Sequence, residues 1–277
     1  ALRAYQHLLS ERLQRLSAEG VRSEQTSDQP QRPLRGWYSW NERFEEIDAP
    51  YIMEHLDLVD EYLRPLGFTL VELDDGWQRG WGDWVTNEQF PDGFEPLIDR
   101  AQTLDLSLGL WFAPFLVDIE VAERLDYPDE WFVYPLSERG PEGDEALIKP
   151  MVTTGEEVGN EEPLEHKIIG NPRTYYILDT THPEAMTHVL TELAVRAAQG
   201  FTYFKLDFLY AAAIPGRRTL PLSGTESLRR GMAMIREAVG AEVIINACGA
   251  PVRSILGYAD SLRIGADTTF GDLYPAF

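Results

Sequence analysis

Cysteine is almost absent from this chain of 277 residues, which contains only Cys248. One cysteine excludes an internal disulfide framework and zinc sites of the CxxC type. The five histidines show neither HxH nor HExxH spacing, which argues against a zinc enzyme. The glycine-rich motifs that bind nucleotide phosphates, GxGxxG and the P-loop, are missing too. The sequence therefore predicts neither a zinc site nor one of these phosphate-binding motifs.

Basic residues are scarce, with 24 Lys and Arg against 46 Asp and Glu, which gives a net charge of −22. A field of this sign repels phosphate backbones, so we predict no nucleic-acid partner. The sequence contains no run of 18 apolar residues, the length that a membrane-spanning helix needs. Its first residues lack the apolar stretch of a signal peptide. We therefore predict a soluble, cytoplasmic protein with no membrane partner.

Short apolar runs alternate with segments of helical spacing from residue 36 onward. Before them, residues 1–35 are predicted to form an amphipathic helix and a polar linker arm. The predicted strands are 36–40, 68–74, 106–115, 201–209, 242–248 and 261–266. The predicted helices between them are 50–66, 94–104, 183–199 and 225–239. Strands that are apolar on both faces and separated by helices indicate a parallel α/β sheet.

Polar residues cluster at the ends of nearly every predicted strand, and these residues are Asn41, Asp74, Asp75, Asp207, Cys248 and Asp267. Strand ends that converge on one face are typical of a (β/α)8 TIM-type barrel, so we predict that fold over residues 36–277. A doubly wound nucleotide-binding sheet would need the glycine motif that is missing. The chain ends just after the sixth predicted strand, so we expect a truncated barrel. An acidic stretch around 116–172 is predicted to be a loop insertion, followed by a short strand at 174–179.

Lys205 and Asp207 are the only charged residues in the apolar run 201–210. Residues at i and i+2 share one face of a strand, so both side chains are expected at the barrel mouth. A nearby ammonium group favours an ionised carboxylate, and a positioned, ionised Asp can act as a nucleophile. The competing interpretation is a buried ion pair that fixes the strand register.

A second acid, Asp267, follows Arg263 across a Gly-Ala turn at the end of the sixth predicted strand. It could simply cap the next helix. Together with Asp207 it would instead supply the paired carboxylates of glycoside hydrolysis, in which one attacks the anomeric carbon and the other protonates the leaving oxygen. A retaining enzyme needs the two carboxyl groups roughly 5–5.5 Å apart.

Two adjacent acids, Asp74 and Asp75, lie in the stretch 72-ELDDGWQ-78. Carboxylates accept hydrogen bonds from neighbouring sugar hydroxyls, although the same residues could form an ordinary Asp-Gly turn. Trp40 and Trp111 lie near predicted strand ends, where their rings could stack on a sugar face.

Cys248 ends the fifth predicted strand, and a nucleophilic role for it would need a histidine on the same face. His182 is the only candidate for that partner. We therefore interpret Cys248 as pocket lining and Gly249 as a residue that lets a ligand approach closely.

Seven ordered motifs, spread over roughly residues 30–270, are GWYSWN, ELDDGWQ, GLWFAPF, YYILDTTHPE, YFKLDF, NACG and RIGAD. Together they resemble the α-galactosidases of glycoside hydrolase clan D, most closely the melibiase and raffinose-synthase-like family 36. Full-length members of that family carry a β-sandwich domain before the barrel and a small β-domain after it. We therefore expect this chain to correspond to the barrel portion, with missing domains of a longer chain or a homo-oligomer as possible partners.

The resemblance implies a retaining α-galactosidase that acts on α-galactoside oligosaccharides without a metal or cofactor. It implies that Asp207 is the nucleophile and Asp267 the acid/base. It also implies that Asp74 and Asp75 hold the 4- and 6-hydroxyls, and that Arg263 contacts the 2-hydroxyl. The remaining residues it places around the sugar are Lys205 beside the nucleophile, and Trp40, Trp111, Cys248 and Gly249 as pocket lining.

The same residues are compatible with several related functions. A raffinose-synthase-type α-galactosyl transferase would share the covalent intermediate, and an α-N-acetylgalactosaminidase would differ on the C2 side of the pocket. A further alternative is an inactive, sugar-binding barrel fragment. A magnesium enzyme built on Asp74, Asp75 and Asp207 is disfavoured, because Lys205 and Arg263 compete for the same carboxylates.

Overall fold

A computed structural model describes residues 34–136, 163–167 and 173–265. Its strands are β1 (Gly36–Tyr38), β2 (Leu70–Leu73), β3 (Gln78–Gly80), β4 (Asp83–Thr86), β5 (Ser107–Phe112), β6 (Leu116–Asp118), β7 (Glu165–Lys167), β8 (Thr174–Ile177), β9 (Tyr203–Leu206), β10 (Ile244–Cys248) and β11 (Ser261–Arg263). Its α-helices are α1 (Trp40–Arg43), α2 (Ala49–Leu58), α3 (Glu95–Thr103), α4 (Ile119–Leu125), α5 (Pro183–Gln199), α6 (Gly224–Val239) and α7 (Val252–Ile255).

Six parallel strands form the central sheet, in the order β1-β2-β5-β9-β10-β11. The four residues of β2 and the four of β9 are all buried, which explains their near-continuous apolar sequence. Each of the six strands lies within one of the predicted apolar runs. The sheet is a curled half-barrel, consistent with a partial TIM barrel.

Four of the described helices, α2, α4, α5 and α6, begin at side-chain caps that the sequence supplies. The Asp48 carboxylate accepts a hydrogen bond from the Tyr51 backbone N–H at the start of α2. Ser223 and Glu226 form a reciprocal capping box at the start of α6. Helix α5 spans the residues predicted for it, and α3 and α6 lie within one residue of their predicted bounds. The segment predicted as one helix over 50–66 instead passes from α2 into a π-helical turn and then a 3-10 turn.

The stretch predicted as a loop insertion is partly a sheet, which corrects the sequence interpretation. Strands β6, β8 and β7 form an antiparallel sheet in that order, and α4 follows β6. β8 was expected, whereas β6 and β7 have three residues each, too few to show an alternating pattern. The predicted N-terminal helix over 1–18 and residues 137–162 of the insertion lie outside the described residues.

No helix among the described residues is long and apolar enough to cross a membrane. The localisation of the protein stays a prediction.

Candidate active site

The carboxyl ends of the central strands carry most of the predicted site residues. Lys205 pairs in register with Trp111 of β5 and with Asn246 of β10. Cys248 pairs with Arg263 of β11. Because parallel strands end at the same edge, this register brings together residues that are far apart in the sequence.

Lys205 binds Asp74 directly, with 2.6 Å between Nζ and Oδ2. Both side chains are buried, and the Asp74 backbone N–H donates to Ser39 Oγ at 3.0 Å. Burial lowers the pKa of Lys205, but the neighbouring carboxylates, Asp74 above all, raise it by more, so its pKa lies above the usual range. The ammonium group therefore stays protonated and faces the Asp74 carboxylate. The sequence placed the ammonium near Asp207, with which it also interacts, but did not indicate that its direct partner is Asp74.

Asp207 directly follows β9, and its buried carboxylate is held from three sides. The Phe208 backbone N–H donates to Oδ1 at 2.8 Å, and the Trp111 indole Nε1 donates to Oδ2 at 3.3 Å. The guanidinium of Arg263 lies 3.3 Å from Oδ1 and 3.5 Å from Oδ2. Phe208 adopts a left-handed conformation with φ of 53°, which is unusual for a residue with a side chain. These donors fix the orientation of the carboxylate.

Asp75 is buried at the turn after β2, where Gln78 and the Trp81 indole donate to its carboxylate. Burial raises the pKa of Asp75 to about 7, with smaller contributions from Glu45 and Asp74. The group can therefore change protonation state near neutral pH. Asp74 and Asp75 are also linked, since the Asp75 backbone N–H donates to Asp74 Oδ1 at 2.9 Å.

The two predicted pocket tryptophans differ in exposure. Trp111 is buried, its indole N–H donates to Asp207, and its ring lies 5.1 Å from that of Trp81 in a tilted arrangement. Trp40 is half-buried on α1, with its ring 5.3 Å from that of Phe44 in an edge-on arrangement. Of the two, Trp40 has the more accessible surface for a ligand.

Cys248 is fully buried at the end of β10, and burial raises the pKa of its thiol to about 12. A protonated thiol is a poor nucleophile, which agrees with a lining role. His182, the only candidate partner, instead caps α5 by accepting from the Ala185 backbone N–H. Gly249 has φ of 65° and is exposed, and a Cβ there would lie 3.3 Å from Tyr210 Cδ1.

Asp267, the predicted second carboxylate, lies outside the described residues. Within the described residues, no group of three or more His, Cys, Asp or Glu side chains is arranged to hold a metal ion.

The sequence interpretation missed Glu72, which lies two residues before Asp74 on the same strand face. It is 5% exposed, and its Oε1 is buried without a hydrogen-bond partner. Burial raises its pKa well above the usual value, and the charge of Asp74 raises it further. The signal was available, because an acid at an inward position of an otherwise apolar strand is unusual.

His166 was also not predicted as a site residue. This buried side chain lies 3.1 Å from the Tyr210 hydroxyl, at the border of the site. Burial lowers the pKa of His166, which favours the neutral ring.

Comparison with known proteins gives consistent matches. The Melibiase family model matches residues 38–144. An α-galactosidase, AgaA, from Geobacillus stearothermophilus is 33% identical over 91 residues, which cover 30% of this chain and 12% of that protein. An Escherichia coli α-galactosidase is 29% identical over 99 residues, 32% of this chain and 13% of that protein.

Solved structures match over more of the chain. The α-galactosidase TtGalA from Thermus thermophilus, in complex with p-nitrophenyl α-D-galactopyranoside, has a TM-score of 0.69 and 34% identity. That match covers 87% of this chain, which spans 43% of the Thermus chain. The family 36 AgaA structure from Geobacillus is similar in fold, with a TM-score of 0.56 and 19% identity. That match covers 83% of this chain and 30% of the Geobacillus chain.

The fold and these matches support a glycoside hydrolase of the barrel type. Within that class, they support a family 36 α-galactosidase catalytic region in this chain.

Proposed function

We propose that this chain carries the catalytic centre of a retaining α-galactosidase, which hydrolyses terminal α-galactosides through a covalent galactosyl-enzyme intermediate. The observation that carries the proposal is the Asp207 carboxylate, held by Trp111, Phe208 and Arg263 beside the buried Lys205–Asp74 pair. The Thermus relative with 34% identity, solved in complexes with p-nitrophenyl α-D-galactopyranoside and stachyose, supports α-galactosides as substrates. We also propose that the six strands are part of a (β/α)8 barrel.

In this mechanism Asp207 attacks the anomeric carbon while Asp267 protonates the departing glycosidic oxygen. The bond from C1 to the leaving oxygen breaks as the bond from C1 to the Asp207 carboxylate forms. Asp267 then takes a proton from water, which attacks C1 and releases Asp207 and galactose with the original anomeric configuration. The hydrogen bonds to Asp207 orient it for both steps.

The remaining residues recognise the sugar. Asp74, Asp75 and Lys205 provide clustered acceptors and a donor for the 4- and 6-hydroxyls, and Arg263 is the donor for the 2-hydroxyl. Trp40 provides an aromatic surface for the ring, and Trp111 acts on the nucleophile through its indole N–H. Cys248 and Gly249 line the C2 side.

Hydrolysis of p-nitrophenyl α-D-galactopyranoside by the full chain and its Asp207→Asn variant tests the proposal. We expect turnover by the wild type and a loss of several orders of magnitude in the variant, because the amide is nearly isosteric but cannot attack. Asp99→Asn, on the exposed face of α3, is the matched control and should retain activity. If Asp207→Asn turned over substrate as fast as the wild type, Asp207 would not be the nucleophile. A folded wild type without turnover would contradict hydrolysis by this chain.

Asp267→Asn tests the acid/base role. We expect the variant to hydrolyse natural galactosides about 10²- to 10⁴-fold more slowly than the wild type. The loss of rate should be smaller for aryl galactosides, whose leaving groups need less protonation. The same dependence on leaving group in the Asp207 and Asp267 variants would show that the two roles are assigned wrongly.

A further inference from the structure

Glu72 occupies a crowded position at the centre of the half-barrel. It pairs in register with Tyr38 of β1 and Gly109 of β5. A Cβ added to Gly109 would lie 3.2 Å from Glu72 Cγ, so the glycine leaves the space that the Glu72 side chain fills. The side chain is therefore fixed by packing, although it is polar and has almost no access to water.

The charges around Glu72 are already balanced without it. The carboxylates of Asp74 and Asp207 face the cations of Lys205 and Arg263. An ionised Glu72 would add an uncompensated negative charge in a buried site, which is strongly unfavourable. The titratable groups that face it are Asp74 on its own strand, Tyr38 on β1, Tyr203, Lys205 and Asp207 on or after β9, and Cys248 on β10. Only Lys205 among these is a cation, and its direct partner is Asp74.

We propose that Glu72 is a neutral carboxylic acid that positions the Asp74–Lys205 pair by donating its proton in a hydrogen bond to Asp74. The side chains of Glu72 and Asp74 are within hydrogen-bonding reach, and only a protonated carboxyl can donate between two such groups. Asp74 then receives donors from Glu72, from the Asp75 backbone and from Lys205, which fixes both of its oxygens. Glu72 is a positioning residue, and this role rests on the proposed function, since the pair is the part of the site that recognises sugar hydroxyls.

Loss of the Glu72 proton as the pH rises has a defined consequence. A Glu72 carboxylate repels Asp74 and attracts the Lys205 ammonium group away from it. Sugar binding should then weaken. Glu72→Gln keeps a donor, its side-chain amide, but has no proton to lose, so the variant should not show this alkaline weakening.

The first experiment measures unfolding by urea for the full chain and Glu72→Gln between pH 5 and pH 9, and it does not depend on activity. The pKa of Glu72 is raised in the folded state, so the folded chain holds more protons than the unfolded chain above the unfolded pKa, and stability falls as pH rises. We expect the unfolding equilibrium constant of the wild type, relative to Glu72→Gln, to rise by up to about tenfold per pH unit. Glu242→Gln is the exposed control and should show no such difference.

The second experiment measures the Kd of galactose over the same pH range by calorimetry. We expect similar affinities for the wild type and Glu72→Gln near pH 6, and a loss of about tenfold or more in the wild type alone at alkaline pH. Glu72→Leu, which has no donor, should bind galactose about tenfold more weakly at every pH. If Glu72 had only a structural role, its substitution would change the stability of the fold. Galactose binding by the wild type and by Glu72→Gln would then depend on pH in the same way.

The same pH dependence of unfolding in the wild type and Glu72→Gln would overturn the proposal, because Glu72 would then be ionised in the folded protein. If Glu72→Gln does not fold, Glu72→Leu replaces it in the unfolding experiment, since it also lacks a titratable group. Matching pH dependence of galactose affinity in the wild type and Glu72→Gln would overturn the positioning role. Absence of galactose binding by any variant at any pH would overturn the proposed function, while the unfolding data still decide the protonation state of Glu72.

Discussion

The Lys205–Asp74 ion pair shows how much one residue's environment depends on another. Replacing Lys205 by Met removes the cation and leaves the Asp74 carboxylate buried without compensation. We expect a loss of about 3–5 kcal/mol in the free energy of unfolding, the range for breaking a buried ion pair from one side. Urea denaturation measures this loss. The double variant Lys205→Met/Asp74→Asn should recover most of the stability, because no unpaired charge remains. If the double variant were no more stable than Lys205→Met, the unpaired charge would not be the cause of the loss.

Asp75 gives a second prediction, which concerns pH. Its pKa is raised to about 7 in the folded protein, because burial disfavours the carboxylate. Between its unfolded pKa, about 3.9, and about 7, the folded chain holds an extra proton, so stability falls as pH rises through this window. We expect Asp75→Asn to become more stable relative to the wild type by up to about 1.4 kcal/mol per pH unit there, and to level off above it. Urea unfolding at several pH values measures this difference, with the exposed Asp99→Asn as control; no pH dependence would show that Asp75 is ionised throughout.

At the scale of elements, packing between β5 and β9 depends on a glycine. A Cβ on Gly109 would lie 2.8 Å from Tyr203 Cδ1, closer than side-chain carbons approach in proteins. Its two neighbours, Tyr203 and Glu72, are both buried. We expect Gly109→Ala to cost about 1–3 kcal/mol, the range for overpacking a core, in thermal or urea unfolding. Gly265→Ala is the control, since its added methyl group meets no atom of the described residues within 4 Å. Equal stability of the two variants would mean that β5 and β9 can move apart.

Most of the central elements could be predicted from sequence, because their signals are local. β9 is a buried apolar run, and α5 shows a regular helical period ended by Gly200. β6 and β7 could not be predicted, since three-residue strands are defined by their pairing with β8 rather than by their own pattern.

The site was predictable only in part, for a related reason. Strand alternation predicted that Lys205 and Asp207 share a face, but not that Lys205 binds Asp74, which lies 131 positions away. That contact depends on β5 lying between β2 and β9 in the sheet. The raised pKa of Asp75 likewise depends on burial by residues from several elements.

At the scale of the whole molecule, the net charge of −22 acts on stability without any particular contact. Folding brings these charges closer together, and the resulting repulsion is screened by salt over a distance of about 10 Å at 0.1 M. Individual exposed ion pairs such as Arg100–Asp57 are weakened by the same screening, but each contributes only about 0–1 kcal/mol. We therefore expect repulsion to dominate, so that the urea midpoint rises as sodium chloride increases from about 0.01 M to 0.15 M, over which the screening length falls from about 30 Å to 8 Å. Equal concentrations of an uncharged solute are the control for effects unrelated to charge. A urea midpoint that falls as salt increases would mean that attractive ion pairs outweigh the repulsion between the excess acidic residues.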